Sequence, residues 1–143
     1  MKLKLKQPMI VWCRVKGPRG RIRELSAILD FNSAYCLMLR QDAIDVGYPE
    51  ASHSHGTWRT ARSDRAPLVV GLRGIERTIL LTLKEVSIGE LAAKDVDAVV
   101  LEYDQSPSIP SDMILGWTFL RNFRLEVDPM SGYLSLNDPG APR

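Results

Sequence analysis

The stretch Ala27-Ile28-Leu29-Asp30-Phe31-Asn32-Ser33-Ala34-Tyr35 is the most informative segment of the chain. An apolar run ends in one carboxylate, Asp30, and a tight polar turn follows. An ionised group is costly to bury without a partner, so few carboxylates sit at the end of a buried strand. Asp30 is therefore the first candidate for chemistry.

A second apolar run, Met113-Ile114-Leu115-Gly116, leads into Trp117-Thr118-Phe119-Leu120-Arg121-Asn122-Phe123. Residues 117–123 predict a short amphipathic helix. Asp112 follows Ser111 and precedes the apolar run, so we interpret it as a turn or capping residue rather than a second reactive carboxylate.

Strand patterns dominate the rest of the chain, and turn residues recur about every ten positions. The predicted strands are Met9–Val15, residues 21–29, Tyr35–Leu39, Trp58–Ala61, Leu68–Val70, Thr78–Leu83, Asp97–Leu101, Arg124–Asp128 and Tyr133–Leu136. A second short helix is predicted at Gln41–Gly47, and a frayed tail from Asn137 to Arg143. This pattern predicts a mainly β, closed or sandwich-like fold.

Composition excludes several classes of protein. The 143 residues are most simply one domain, with ordinary hydrophobic (45%) and charged (25%) fractions. No apolar run reaches the length of a membrane span. The basic start, Met1 to Lys6, lacks the apolar core and cleavage site of a signal peptide, so we expect a cytoplasmic protein. Cys13 and Cys36 are then expected to be free thiols.

The charge balance does not indicate a nucleic-acid partner. Net charge is only +2, although basic residues are concentrated in the first 23 positions. A hairpin with a solvated basic face explains that concentration more simply than a polyanion site.

These residues resemble the retropepsin-like aspartic proteases, homodimers in which each chain gives one Asp to a shared catalytic pair. Ile28 to Tyr35 is similar to the family's catalytic strand and turn, and Asp112 to Leu120 to its second element. The closing hairpin is similar to the strand pair that ends its cellular members. The resemblance covers about residues 9–136. It implies a single domain with a closed, barrel-like acid-protease fold, one or two short helices and flexible ends.

The resemblance implies a role for each matched position. Asp30 is the catalytic residue of an aspartic endopeptidase acting on peptides or proteins, with no cofactor and no metal. Phe31, Asn32 and Ser33 form the active-site turn, and Ile114, Leu115 and Gly116 form a structural turn. The residues expected in a substrate-binding flap, with a mobile tip at 60–67, are Trp58, Arg59, Thr60, Ala61 and Arg62.

The turn departs from the family pattern at two positions. The family has a small hydroxyl residue after the Asp, which bonds the partner's backbone, whereas this chain has Phe31. We expect Phe31 to compensate by apolar packing near the dimer axis. Asn32 replaces the family glycine and tolerates positive φ better than other residues. Ser33 carries a hydroxyl that can stabilise an ionised Asp30.

Each feature also has a simpler interpretation. Asp30 can cap local backbone N–H groups in a turn, and Trp58 can be a packing residue. His53 and His55 lack partners at metal-ligand spacing and are interpreted as solvated loop residues. Cys36, in an apolar strand, is interpreted as an inert core thiol. The competing function classes are a catalytically degenerate peptide-binding or dimerisation module, and a nucleic-acid-associated β domain.

Overall fold

The computed structural model describes residues 1–6, 8–48, 69–71, 74–76, 78–101 and 111–140. Strands account for most of the regular structure in these ranges. The elements are β1 Lys2–Lys4, β2 Ile10–Lys16, β3 Ile22–Leu29, β4 Cys36–Leu39, α1 Arg40–Asp45, β5 Val69–Gly71, β6 Gly74–Glu76, β7 Thr78–Ile88, β8 Leu91–Leu101, β9 Met113–Leu115, α2 Trp117–Leu120, β10 Arg124–Asp128 and β11 Tyr133–Asn137.

Six strands close into a barrel in the order β2-β3-β9-β4-β8-β7, with β2 pairing β7 to complete the ring. Alternation along the strands fills its interior. In β2, Val11, Cys13 and Val15 are buried, whereas Ile10, Trp12 and Arg14 between them are exposed. The predicted mainly β fold, with a closed barrel and two short helices, is confirmed.

The β7–β8 hairpin is longer than the sequence predicted. Strands were expected only at Thr78–Leu83 and Asp97–Leu101, but each continues past the polar residues to a turn at Gly89, whose φ is +55°. The polar residues face outward and pair across the hairpin, as Glu85 does with Lys94. Val86 and Val96 stay fully buried, but two successive positions, Lys84–Glu85 on β7 and Lys94–Asp95 on β8, lie outside the core, so the alternation changes phase there.

A parallel pairing organises the centre of the barrel. β3 and β9 run side by side with Ala27 opposite Met113 and Leu29 opposite Leu115, although a long stretch of chain separates them. Directly after β9, the backbone of Gly116 lies against the turn that follows β3. A Cβ on Gly116 would come within 2.3 Å of the Tyr35 carbonyl oxygen and 2.5 Å of that of Ser33. Only glycine fits this position.

The chain ends form a separate three-stranded sheet in the order β1-β11-β10. The prediction that the basic residues of the first 23 positions share one hairpin is wrong for the first of them. Lys2–Lys4 pairs with Tyr133–Ser135 rather than with β2. Leu3 and Leu134 turn toward the core, and the Lys2 ammonium lies 4.3 Å from the centre of the Tyr133 ring. Asn137 belongs to β11, so the expectation of a frayed tail is wrong for this residue.

The helices are shorter than predicted. The first covers Arg40–Asp45, and Gly47 after it adopts a φ of +103°, as the closing glycine was expected to do. The second covers Trp117–Leu120 instead of residues 117–123. It stops because the Asn122 side chain donates to the carbonyls of Thr118 (3.1 Å) and Phe119 (2.9 Å). Within the described ranges, no helix is both long and apolar enough to cross a bilayer.

One hydrophobic cluster joins the barrel interior to Phe119 and Leu120 of α2 and to Leu134 and Leu136 of β11. Both cysteines are free and lie in this cluster. Burial raises the pKa of the Cys13 thiol to about 12 and also raises the pKa of Cys36. The interpretation of Cys36 as a core thiol is confirmed.

The close approach at Gly116 predicts a large cost for Gly116→Ala. We expect the free energy of unfolding in urea to fall by roughly 3 kcal/mol, because backbone oxygens must move to admit a methyl group. Gly140→Ala is the matched control, since its Cβ would meet only the Asp138 carboxylate, at 3.5 Å. Equal stability of the two variants would contradict the described packing.

The buried thiols predict slow modification. At pH 8 in native conditions, a disulfide reagent such as Ellman's should label neither cysteine appreciably, because each thiol is protonated and enclosed. Both should react at once in denaturant. Above pH 9 the Cys13 thiol ionises in the unfolded chain but keeps its proton in the folded one. Its contribution to the free energy of unfolding is therefore lost as pH rises toward about 12. Rapid native labelling at pH 8 would contradict this account.

Candidate active site

Asp30 lies directly after β3, at the end of the barrel where β3 and β9 separate. Its backbone N–H donates to the carbonyl of Leu115, the last residue of β9, at 3.1 Å. The Asp30 residue is partly exposed. The parallel pair therefore fixes the backbone beneath the carboxylate while the side chain reaches the surface.

The turn after Asp30 gives the carboxylate one hydrogen bond among the described residues. The N–H of Asn32 donates to Oδ1 of Asp30 at 2.9 Å. The Ser33 N–H contacts the Asp30 carbonyl at the longer distance of 3.4 Å. This Asx-type turn is the local capping role that the simpler interpretation assigned to Asp30. The second carboxylate oxygen, Oδ2, accepts no hydrogen bond from the part of the chain that the structure describes and can bind a ligand.

A cleft of about 310 Å³ opens beside the Asp30 carboxylate. Five of its seven lining residues are apolar, and the polar groups of the turn form the rest of its wall. Its lining residues are Pro8, Met9, Ile28, Leu29, Asp30, Phe31 and Asn32. A concave site that combines apolar side chains with a single acidic group is typical of a ligand-binding site.

Two expectations about the turn were wrong. Asn32 does not adopt positive φ, since Asp95 is the only non-glycine residue of the described ranges that does. The Ser33 hydroxyl donates to the Tyr35 carbonyl at 2.8 Å instead of contacting the Asp30 carboxylate. Neither side chain shapes the turn. The Asn32 N–H bond to the Asp30 carboxylate closes it, and a residue other than glycine at position 32 can supply that N–H.

The second motif packs directly against this turn, as the structural role of Ile114, Leu115 and Gly116 implied. Leu115 is fully buried and Ile114 is half-buried. Beyond Gly116, the N–H of Trp117 donates to the Ser33 carbonyl at 2.8 Å and that of Thr118 donates to the Ala34 carbonyl at 3.2 Å. The start of α2 is therefore bonded to the turn that carries Asp30.

Phe31 packs within its own chain. Its ring lies partly buried against the core and meets the ring of Trp117 edge-on, with centroids 6.5 Å apart and planes at 65°. The indole N–H of Trp117 also donates to the Phe31 carbonyl at 2.6 Å. The sequence had indicated apolar packing for Phe31 but not this partner.

Thr118 is a positioning residue that sequence reasoning missed. Its buried hydroxyl donates to the Asp97 carbonyl at 2.6 Å and accepts from the Cys36 N–H at 3.0 Å. It thereby joins α2 to the β4 and β8 strands. The sequence could have indicated this role, because a hydroxyl in the otherwise apolar run Trp117-Thr118-Phe119-Leu120 needs a buried hydrogen-bond partner.

The expected flap residues lie outside the described ranges. These are Trp58, Arg59, Thr60, Ala61 and Arg62, and the same holds for His53 and His55. After them, β5 and β6 form a two-stranded hairpin in which Val69 pairs with Glu76 and Gly71 pairs with Gly74. The strand at Gly74–Glu76 was not predicted.

The other buried or motif-flanking carboxylates hold the fold together. Asp112 accepts from the Ser26 N–H (3.1 Å) and hydroxyl (3.0 Å), so its carboxylate ties the start of β9 to β3 and makes a contact between strands rather than one within a turn or cap. Asp42 of α1 pairs with Arg23 at 2.7 Å, and burial raises the pKa of Asp42 while Arg23 opposes the rise. No group of three or more His, Cys, Asp or Glu in the described ranges is placed to hold a metal ion.

Comparison with known proteins identifies the fold. No protein-family model and no curated protein matches the sequence. The crystal structure of a retropepsin-like aspartic protease from Rickettsia conorii aligns with a TM-score of 0.61 at 14% identity, covering 94% of this chain and 95% of that chain. The retroviral protease-like domain of Ddi1 from Leishmania major is also 14% identical, with a TM-score of 0.45 over 98% of this chain and 95% of that chain. The alignment with the Rickettsia conorii structure shows that the chain has the fold of the retropepsin-like aspartic proteases.

Proposed function

We propose that the protein is a homodimeric aspartic endopeptidase in which two chains bring their Asp30 carboxylates together. The observation that carries this proposal is the position of Asp30, which lies beside an apolar cleft on a turn bonded to the start of α2. The cleft of one chain holds one carboxylate, and the reaction needs two. A symmetric dimer supplies the second, and a two-fold interface is the commonest arrangement of identical chains.

The paired carboxylates divide the chemistry between them. Two like charges a few ångströms apart cannot both stay ionised, so the pair shares one proton. The ionised carboxylate takes a proton from a water molecule, whose oxygen attacks the scissile carbonyl carbon. The protonated carboxyl donates a hydrogen bond to the carbonyl oxygen and stabilises the charge that develops there. The carboxyl that took the proton from water then gives it to the leaving nitrogen, and the peptide bond breaks.

The cleft favours peptides with apolar side chains next to the scissile bond. Met9, Ile28 and Phe31 line it, and only Asp30 among its lining residues carries a charge. An extended peptide bound there would bury its apolar side chains against these residues while its backbone passes the carboxylates. Acidic side chains would be disfavoured because the Asp30 pair already holds negative charge.

The terminal sheet offers the surface for the second copy. β10 is an edge strand, paired only with β11 among the described residues. Val127, the fourth of its five residues, is 54% exposed, although its register partner Leu134 is fully buried. An unpaired edge with an exposed apolar residue is a ready template for another strand. A second copy of β10 would pair antiparallel across the two-fold axis and cover Val127.

A peptide-binding or dimerisation module on the same fold is the second candidate. Phe31 and Asn32 favour it, because both depart from the catalytic turn of the family that the sequence resembles. Ser33 adds to this, since its hydroxyl is occupied by Tyr35. Such a module would keep the dimer and the cleft without hydrolysis.

Asp30→Asn should abolish cleavage of apolar peptides between acid and neutral pH while leaving folding and dimerisation unchanged. The substitution keeps the shape but removes the group that accepts the proton from water. The control is Asp112→Asn, because Asp112 lies at the other end of the same strand pair and ties it to Ser26. That variant should lose some stability but stay active when folded.

The outcomes of this assay separate the two candidates. A wild-type dimer that binds apolar peptides but cleaves none would establish the binding module. Cleavage that survives Asp30→Asn would show that another residue carries the chemistry.

Val127→Lys should dissociate the dimer and abolish activity together. Two lysines would face each other near the two-fold axis, and such like-charge contacts cost about 3 kcal/mol, or roughly 100-fold in the dimer dissociation constant. Sedimentation at several concentrations measures this constant. Met130→Lys, in the turn between β10 and β11 where Met130 is 97% exposed, should change neither property. A fully dimeric Val127→Lys variant would place the interface elsewhere.

A further inference from the structure

We propose that Trp117 is a positioning residue for Asp30, acting through the peptide group that joins Phe31 to Asn32. The indole N–H of Trp117 binds the carbonyl end of this group, and its N–H end binds the Asp30 carboxylate. The Trp117 side chain would thus set the direction in which Asp30 points. The catalytic part of this inference rests on the proposed peptidase function.

The planar peptide group between Phe31 and Asn32 couples the Trp117 contact to the Asp30 contact. The bond is planar and trans, so its C=O and N–H point in opposite directions. Trp117 Nε1 lies 2.6 Å from the Phe31 oxygen, and the Asn32 nitrogen lies 2.9 Å from Oδ1 of Asp30. Holding the oxygen therefore fixes the direction of the N–H. A hydrogen bond accepted by the carbonyl also polarises the peptide group and strengthens its N–H as a donor.

The rest of Trp117 is placed to keep this contact. Its backbone N–H donates to the Ser33 carbonyl at 2.8 Å, on the far side of Asn32. Its ring meets the Phe31 ring edge-on at 6.5 Å. Gly116 just before it admits the close approach of the two backbones. Trp117 thus contacts the turn on both sides of Asn32.

Burial alone does not require a tryptophan at this position. The residue is 43% exposed and does not line the cleft beside Asp30. Among the described residues, only the Asn32 N–H donates a hydrogen bond to the Asp30 carboxylate. The Ser33 hydroxyl does not add a second bond, since it donates to the Tyr35 carbonyl. The contact that orients this N–H therefore controls the only observed restraint on the carboxylate.

Trp117→Phe tests the inference, because phenylalanine keeps an aromatic ring beside Phe31 and removes the indole donor. The matched control is Trp12→Phe, since Trp12 is 72% exposed on β2 and away from the turn. One readout is the solvent exchange rate of the Asn32 amide by NMR. The second is kcat and KM on an apolar peptide that the wild type cleaves.

In Trp117→Phe we expect the Asn32 amide to exchange at least about tenfold faster and kcat to fall about 10- to 100-fold, because a small misplacement of a reacting group is costly. KM should stay within about twofold, since the side chain lies outside the cleft. Trp12→Phe should match the wild type in every readout. A general loss of folding would instead speed exchange throughout the barrel.

Unchanged Asn32 exchange in Trp117→Phe would overturn the inference whatever the activity. Faster exchange with unchanged kcat would overturn the catalytic part. If the wild type cleaves no peptide, the proposed function fails, and the exchange rates alone decide whether Trp117 holds Asp30. If Trp117→Phe does not fold, the exchange rates of the indole N–H groups are compared in the wild type. The inference requires the Trp117 indole N–H to exchange more slowly than that of Trp12, and equal rates would overturn it.

Discussion

The parallel contact between β3 and β9 is the constraint on which the site depends. It brings together two short apolar runs that lie far apart in the chain, and it sets Gly116 against the backbone of Ser33 and Tyr35. The turn after β3 is thereby enclosed by backbone on one side and open to the cleft on the other. Asp30 is held at this boundary, which suits a carboxylate that must stay solvated yet fixed.

The observed turn makes Phe31 and Asn32 compatible with an ordered site. Asn32 contributes its N–H, which every residue except proline has, and Phe31 contributes its carbonyl and a ring that packs on Trp117. Neither contact needs a hydroxyl or a glycine. Phe31 and Asn32 depart from the family pattern, and contacts to α2, which carries Trp117 directly after Gly116, accommodate both residues.

The sequence predicted what depends on local pattern. Asp30, the Ile114-Leu115-Gly116 turn and the β10–β11 hairpin stood out because apolar runs broken by turn residues are strong signals. The sequence did not predict the full length of β7 and β8, because charged residues such as Glu85 and Lys94 interrupt the apolar alternation. The pairing of β1 with β11 and the role of Trp117 depend on contacts more than 80 positions apart, which periodicity does not encode.

Mixed dimers test the shared carboxylate pair most directly. Wild-type and Asp30→Asn chains are unfolded together, refolded at varying ratios and assayed at constant total protein. If each active site needs Asp30 from both chains, activity falls as the square of the wild-type fraction, to about a quarter at an equal mixture. Activity directly proportional to the wild-type fraction would mean that each chain works alone, and would contradict the account.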